Sequence, residues 1–277
     1  MKKLLASDID GTLLLNNKIH DKSIDNIQRF KNEGHLFVLS TGRPLCGINH
    51  LFKNYKLDVD AYILCNGAFI LDNTLNEIKN FTIDSKIVHD ICTYILATNN
   101  FTVSISDGYS SYLLKERSLI NTKLLLNKTV IKYILSMALG KSNKMKFLNK
   151  DKLLEKDYAI NIISIYALDN NISNAEDLKN YINDNYSEFV TAYRNQFFVD
   201  VVFKNCSKAI GIEEICNKFS IKDNNVYVIG DSWNDLSMFE RYDNSYTFSY
   251  SEEELKPKAN NIVDAFYDCI DHILDDM

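Results

Sequence analysis

Leu4-Leu5-Ala6-Ser7-Asp8-Ile9-Asp10-Gly11-Thr12-Leu13-Leu14 is the stretch whose reading decides the fold. Its first residues are a short apolar run, the pattern of a strand buried on both faces. Two acids one residue apart follow, Asp8 and Asp10, and then Gly11, which lets the backbone turn sharply. In an open α/β sheet, ligands gather beyond the carboxyl ends of the strands. An Asp8 carboxylate placed there, with a neighbouring backbone carbonyl, suits a hard cation such as Mg2+. An aspartate beside such a cation can attack phosphorus and form an aspartyl-phosphate. The tetrapeptide Asp-x-Asp-Gly alone reads equally well as a solvated turn, so the rest of the chain decides.

Three further segment ends carry the same kind of chemistry. A helix is expected from about Asp21 to Glu33, with Ile24, Ile27 and Phe30 on one face and Gly34 as its C-cap. The strand after it, Leu36–Ser40, stops at Thr41-Gly42-Arg43-Pro44: a hydroxyl, a glycine, a cation and a proline suited to a helical first turn. Those groups can receive a phosphoryl oxygen at a helix N-terminus. A strand over Ala61–Cys65 ends in Asn66-Gly67, and Phe69–Leu71 with Glu77–Phe81 reads as a hairpin. Further on, Ser207 reads as the N-cap of a helix to Phe219, with Lys208 in the first turn. A cation there opposes the helix dipole, which suggests that Lys208 is placed for a partner. The strand Val226–Ile229 then ends in Gly230-Asp231-Ser232-Trp233-Asn234-Asp235, and the terminal helix is expected over Asp264–Leu274.

Between these flanks the pattern changes. Helices near Ile87–Ile95, Lys128–Leu139 and Asn174–Asn185 alternate with strands at Thr102–Ser106, Tyr112–Leu114, Ala159–Tyr166, Phe189–Tyr193 and Phe197–Phe203. Hairpins mixed with helices indicate an α+β layer. The expected architecture is an α/β core of residues 1–82 and 204–277 with an α+β cap, residues 83–203, inserted into it.

Composition narrows the function classes. The chain has 277 residues, 46% apolar and 25% charged, enough for a sizeable core. A net charge of −6 leaves no electrostatic footprint for nucleic acid or an anionic membrane. Cys46, Cys65, Cys92, Cys206, Cys216 and Cys269 show no metal-ligand spacing and read as small hydrophobes in a reducing compartment. The five histidines do not cluster. Without a signal-peptide pattern or an apolar run near about 18 residues, the chain is expected to be cytoplasmic, a monomer or small homo-oligomer.

Taken together, Asp8-Ile9-Asp10-Gly11-Thr12, Ser40-Thr41-Gly42-Arg43, Asn66-Gly67-Ala68, Lys208 and Gly230-Asp231-Ser232-Trp233-Asn234-Asp235 supply a nucleophile, an acid/base, a hydroxyl, cations and metal-binding acids. In these motifs the sequence resembles the haloacid dehalogenase superfamily of phosphotransferases, specifically its Cof-like sugar-phosphatase branch. The resemblance spans the whole chain and implies a Rossmann-like core, a parallel sheet with helices on both faces, under a cap. It implies Asp8 as nucleophile and Asp10 as the acid that protonates the leaving oxygen and then activates water. Mg2+ would be held by Asp8, the carbonyl of Asp10 and Asp231, helped by Ser232. The phosphoryl oxygens would meet Thr41, the Gly42 amide, the backbone at Ile9, Lys208 and Asn234. Asp235 would orient Lys208 or a metal-bound water, and Arg43, Asn66 and Gly67 would face the substrate. The chain departs from the family pattern after the last motif. Met-x-Asn-Ala and a closing Asn-x-x-Asp-Gly-Val are usual there, and this sequence reads Tyr242-Asp-Asn-Ser-Tyr-Thr-Phe-Ser-Tyr.

The expected function is hydrolysis of a small phosphorylated metabolite, a sugar phosphate foremost. A phosphomutase would share the core chemistry, and net release of phosphate separates the two. A non-catalytic binding protein has no chemical need for Asp8, Asp10, Lys208 and Asp231 together. A receiver-type domain has no need for a cap of this size.

Overall fold

The computed structural model describes residues 1–98, 100–115, 146–149, 151–155 and 158–275. The helix expected over Lys128–Leu139 lies outside them. The chain divides into two compact units: Met1–Gly42, Leu51–Asn80 and Cys206–Met277 form the first, and Arg43–His50 with Phe81–Asn205 the second.

In chain order, β1 (Leu4–Ser7), α1 (Asp21–Asn32), β2 (Leu36–Ser40), α2 (Leu45–Tyr55) and β3 (Ala61–Leu64) come first. A 3-10 turn at Cys65–Gly67 leads into the hairpin β4 (Phe69–Asp72) and β5 (Glu77–Asn80). The elements α3 (Ser85–Ala97), β6 (Phe101–Ser106), β7 (Ser111–Lys115), β8 (Lys146–Asn149) and α4 (Lys152–Glu155) follow. Next are β9 (Ile162–Ala167), α5 (Ile172–Tyr186), β10 (Val190–Asn195) and β11 (Phe198–Phe203). The chain closes with α6 (Lys208–Phe219), β12 (Val226–Ile229), α7 (Leu236–Arg241), β13 (Asn244–Phe248), β14 (Asn261–Val263) and α8 (Phe266–Asp275).

The first unit is built on an eight-stranded sheet in the order β14-β13-β12-β1-β2-β3-β4-β5. It is parallel from β14 to β3 and antiparallel where the hairpin adds β4 and β5. The two-residue period of the buried strands sends side chains to both faces. Leu4, Ala6, Leu36, Val38 and Ile63 pack with Ile212 and Ile215 of α6 and Met238 of α7. On the opposite face Phe37 meets Phe266 of α8 edge-on, ring centroids 6.3 Å apart. Asn26 of α1 donates to the Tyr267 carbonyl and to Asp271, tying α1 to α8. Helices on both faces of a mostly parallel sheet place β1, β2, β3 and β12 side by side, so their carboxyl ends meet at one edge.

The second unit holds a six-stranded sheet in the order β10-β11-β9-β6-β7-β8, antiparallel except for the parallel pair β7–β8. Val88, Ile91 and Ile95 of α3 and Leu178 and Ile182 of α5 cover one face, against Val103, Ile105, Ile163, Ile165 and Val199. On the other face Ser104, Ser164 and Asp200 stand in register, and the Ser164 hydroxyl donates to Asp200 at 2.7 Å. The strand read as starting at Ala159 begins instead at Ile162. The preceding residues face a different partner: the Ile83 N–H donates to the Ile160 carbonyl, and the Asn161 side-chain amide donates to Phe81. Arg43–His50 groups with this unit, where the Leu45 N–H donates to the Gly108 carbonyl at 2.8 Å.

Candidate active site

The carboxyl ends of β1, β3 and β12 and the first turn of α6 meet around one buried amine. Lys208 has no exposed surface, and its Nζ donates to Asp8 at 2.5 Å and to Asp235 at 2.6 Å. Removing a lysine from water is unfavourable unless the charge is paired, and here two carboxylates pair it. Its place depends on Ser207, whose hydroxyl accepts from the Ile210 N–H and starts the helix. It depends equally on Gly67. That residue lies at φ +92°, and a Cβ there would stand 2.0 Å from the Ser207 carbonyl oxygen. Glycine is what lets the turn after β3 press against the start of α6.

Asp235 is occupied by donors. One carboxylate oxygen takes Lys208, and the other accepts from the N–H groups of Asp231 and Ser232 at 3.0 Å each. The Ser232 side chain accepts in turn from the Asp235 N–H, a capping box that folds the loop after β12. Asp231 takes the Thr12 hydroxyl at 2.7 Å. The Asp8–Thr12 turn is closed on itself, with the Ile9 carbonyl accepting from the Leu14 N–H at 2.7 Å.

One carboxylate oxygen each from Asp8, Asp231 and Asp235 lies within 4.8 Å of the others. With Lys208 as the counter-charge, three carboxylates leave an excess of two negative charges when all are ionised. The consequence is electrostatic. Asp8 is pushed well above the usual carboxylate range by burial first, then by Asp235, Asp231 and Asp10, against the pull of Lys208. Asp231 is pushed up to about 7, chiefly by burial and by Asp235. An all-oxygen donor set with two surplus negative charges fits a hard divalent cation. Because Asp235 already holds three donors, Asp8 and Asp231 are the carboxylates suited to it.

The remaining motif residues are spread unevenly. The Asn66 N–H donates to the Thr41 carbonyl at 3.0 Å, tying the ends of β2 and β3. The Asn66 side-chain carbonyl accepts from Asn234 at 3.2 Å, leaving the Asn234 Oδ1 buried without a protein partner. Thr41 is buried and Gly42 half-buried at the end of β2. Arg43 belongs to the second unit, where its guanidinium donates to the Gly47 carbonyl at 2.8 Å. Asp10 is half-buried beside the cluster, near enough for its charge to raise both Asp8 and Asp231. Thr12, to which the sequence motif assigns no role, orients the Asp231 carboxylate through its hydroxyl.

A model of the haloacid dehalogenase-like hydrolases matches residues 5–268. The chain belongs to this family. This haloacid dehalogenase-like hydrolase is similar to 5-amino-6-(5-phospho-D-ribitylamino)uracil phosphatase YitU of Bacillus subtilis, 24% identical over 86% of this chain and 83% of YitU. Its fold is similar to that of the HAD subclass IIB sugar phosphatase BT4131, with a TM-score of 0.78 at 19% identity, covering 98% of this chain and 99% of that one. It is similar also to a HAD/COF-like hydrolase from Plasmodium vivax, with a TM-score of 0.80 at 19% identity, covering 100% and 96%. The fold is therefore that of the Cof-like branch. No helix among the described residues is long and apolar enough to cross a membrane.

Proposed function

We propose that the protein is a Mg2+-dependent phosphatase of a small phosphorylated metabolite, a sugar phosphate foremost, working through an aspartyl-phosphate. The observation that carries this reading is the buried Lys208 between Asp8 and Asp235, with Asp231 converging on the same space. Asp8 attacks phosphorus: a bond forms from its carboxylate oxygen, and the bond to the leaving oxygen breaks. Asp10 gives that oxygen its proton, then takes one from the water that attacks the phosphorus and frees Asp8. Lys208 holds the Asp8 carboxylate in place and offers its charge to the phosphoryl oxygens. Thr41, the Gly42 amide and Asn234 hold those oxygens, and Asp235 orients Lys208. Asp8, Asp231 and the Asp10 carbonyl would hold Mg2+, which when bound neutralises charge on phosphate and nucleophile alike. The sugar-phosphate choice is supported by the activity named for BT4131, and the ribityl phosphate named for YitU marks how wide the range of related substrates is.

The test is phosphate release from a panel of phosphorylated sugars, nucleotides and vitamins with Mg2+ present. Release from sugar phosphates that stops in EDTA supports the reading. Transfer of phosphate between positions of one substrate, without net release, replaces it with a phosphomutase. Tight binding with no turnover replaces it with a binding protein.

A further inference from the structure

The segment where the sequence leaves its family's pattern is fastened to both motif loops of the site. After β13 the chain runs through Ser249-Tyr250-Ser251-Glu252. The Thr247 hydroxyl donates to the Gly230 carbonyl at 3.0 Å and lies 3.0 Å from the Ser251 hydroxyl. The indole N–H of Trp233 donates to Glu252 at 2.6 Å. These bonds hold the segment to the loop that carries Asp231. On the other side the Tyr250 hydroxyl donates to the Gly11 carbonyl at 2.7 Å, across 239 residues of sequence.

Gly11 lies in the middle of the Asp10–Thr12 turn, its N–H donating to the Leu14 carbonyl at 3.1 Å. It lies at φ +84°, and with no Cβ it has the widest conformational freedom in the turn. It also lies directly against Asp231: a Cβ there would stand 2.3 Å from a carboxylate oxygen. A small rotation at Gly11 would therefore shift Asp10 on one side and Thr12, the donor to Asp231, on the other. Tyr250 is well made to prevent that. Its ring stacks on the fully buried Phe248, centroids 4.7 Å apart and planes 12° from parallel, so the hydroxyl is delivered on a fixed arm. The residue is still 48% exposed, so it adds little to the core.

We propose that Tyr250 is a positioning residue of this site: by donating to the Gly11 carbonyl it fixes the Asp10–Gly11–Thr12 turn against Asp231 and so sets the geometry in which a divalent cation is bound. The inference rests on the metal site proposed above.

The experiment is Mn2+ binding to the metal-free protein, followed by the electron paramagnetic resonance of free Mn2+, for wild type, Tyr250→Phe and Asp231→Asn. Phenylalanine keeps the ring and its stacking and removes only the donated bond. Loss of one such hydrogen bond, or of a partner that orients a ligand, predicts about five- to tenfold weaker Mn2+ binding with an unchanged melting temperature. In turnover, the Mg2+ concentration for half-activity should rise by the same factor, while the substrate KM at saturating Mg2+ stays constant. Unchanged Mn2+ affinity in Tyr250→Phe overturns the inference, as does a lower melting temperature with unchanged affinity. Should wild type take up no more Mn2+ than Asp231→Asn, the metal site itself fails and the inference falls with it.

Discussion

Lys208 stands in the first turn of a helix, where the dipole opposes a cation, and has no exposed surface. Two carboxylates at 2.5 and 2.6 Å reverse that balance. Replacing it by methionine strands Asp8 and Asp235 without a counter-charge. Breaking a buried pair from one side costs about 3–5 kcal/mol, so urea unfolding of metal-free Lys208→Met should show a loss of that order. Turnover should fall by roughly a hundredfold or more, as when one preorganised donor to a developing charge is removed. The carboxylates give a second test. A carboxyl group whose pKa is raised on folding keeps its proton in the native state while the unfolded chain has already lost it. Stability is then lost as pH rises from about 4, the ordinary carboxylate value, towards about 7, where Asp231 titrates. The melting temperature of the metal-free protein should fall over that window, and less steeply in Asp231→Asn. Parallel profiles for the two proteins would contradict the electrostatic account.

At the scale of elements, the close approaches are made by glycine. Gly67 allows the turn after β3 to meet the Ser207 carbonyl, and alanine there both strains a φ of +92° and collides at 2.0 Å. Gly67→Ala should shift the start of α6, lowering stability and turnover together, measured by melting temperature and kcat on one preparation. Much of this was legible in the sequence, because each chemical residue sits just past a buried apolar run or an N-cap. The ends of β1, β2, β3 and β12 were readable as places where Asp8, Thr41, Asn66 and Asp231 would stand. The pairing of Lys208 with Asp8 was not, since the two are 200 residues apart and only strand order brings them together. Tyr250 was marked only as the end of the segment that departs from the family pattern, and Glu252 not at all. They lie in an irregular loop, and their partners are a backbone carbonyl and an indole N–H. Short strands such as Lys146–Asn149 and Asn261–Val263 are too brief for a two-residue period to stand out.

Over the whole molecule, the sheet order unites two distant parts of the chain. Residues 4–80 supply β1 to β5, and residues 226–263 supply β12 to β14, which join at the β1–β12 pair. A cation bound between Asp8 and Asp231 would bridge that seam and stabilise the folded state by mass action. At a hundredfold excess over its dissociation constant the gain is about 2.7 kcal/mol. The melting temperature of the metal-free protein should therefore climb with the logarithm of Mg2+ concentration, and Asp231→Asn should stay flat. Covalent chemistry at Asp8 is the central claim, and a rapid-quench single turnover reads it directly. In Asp10→Asn, given an aryl phosphate whose leaving group departs without a proton, formation proceeds but the water is no longer activated, so phosphoenzyme should accumulate, and mass spectrometry should place one phosphoryl group on Asp8. Asp8→Asn should show neither the adduct nor turnover. A phosphoryl group on another residue, or phosphate release that survives Asp8→Asn, would contradict the account.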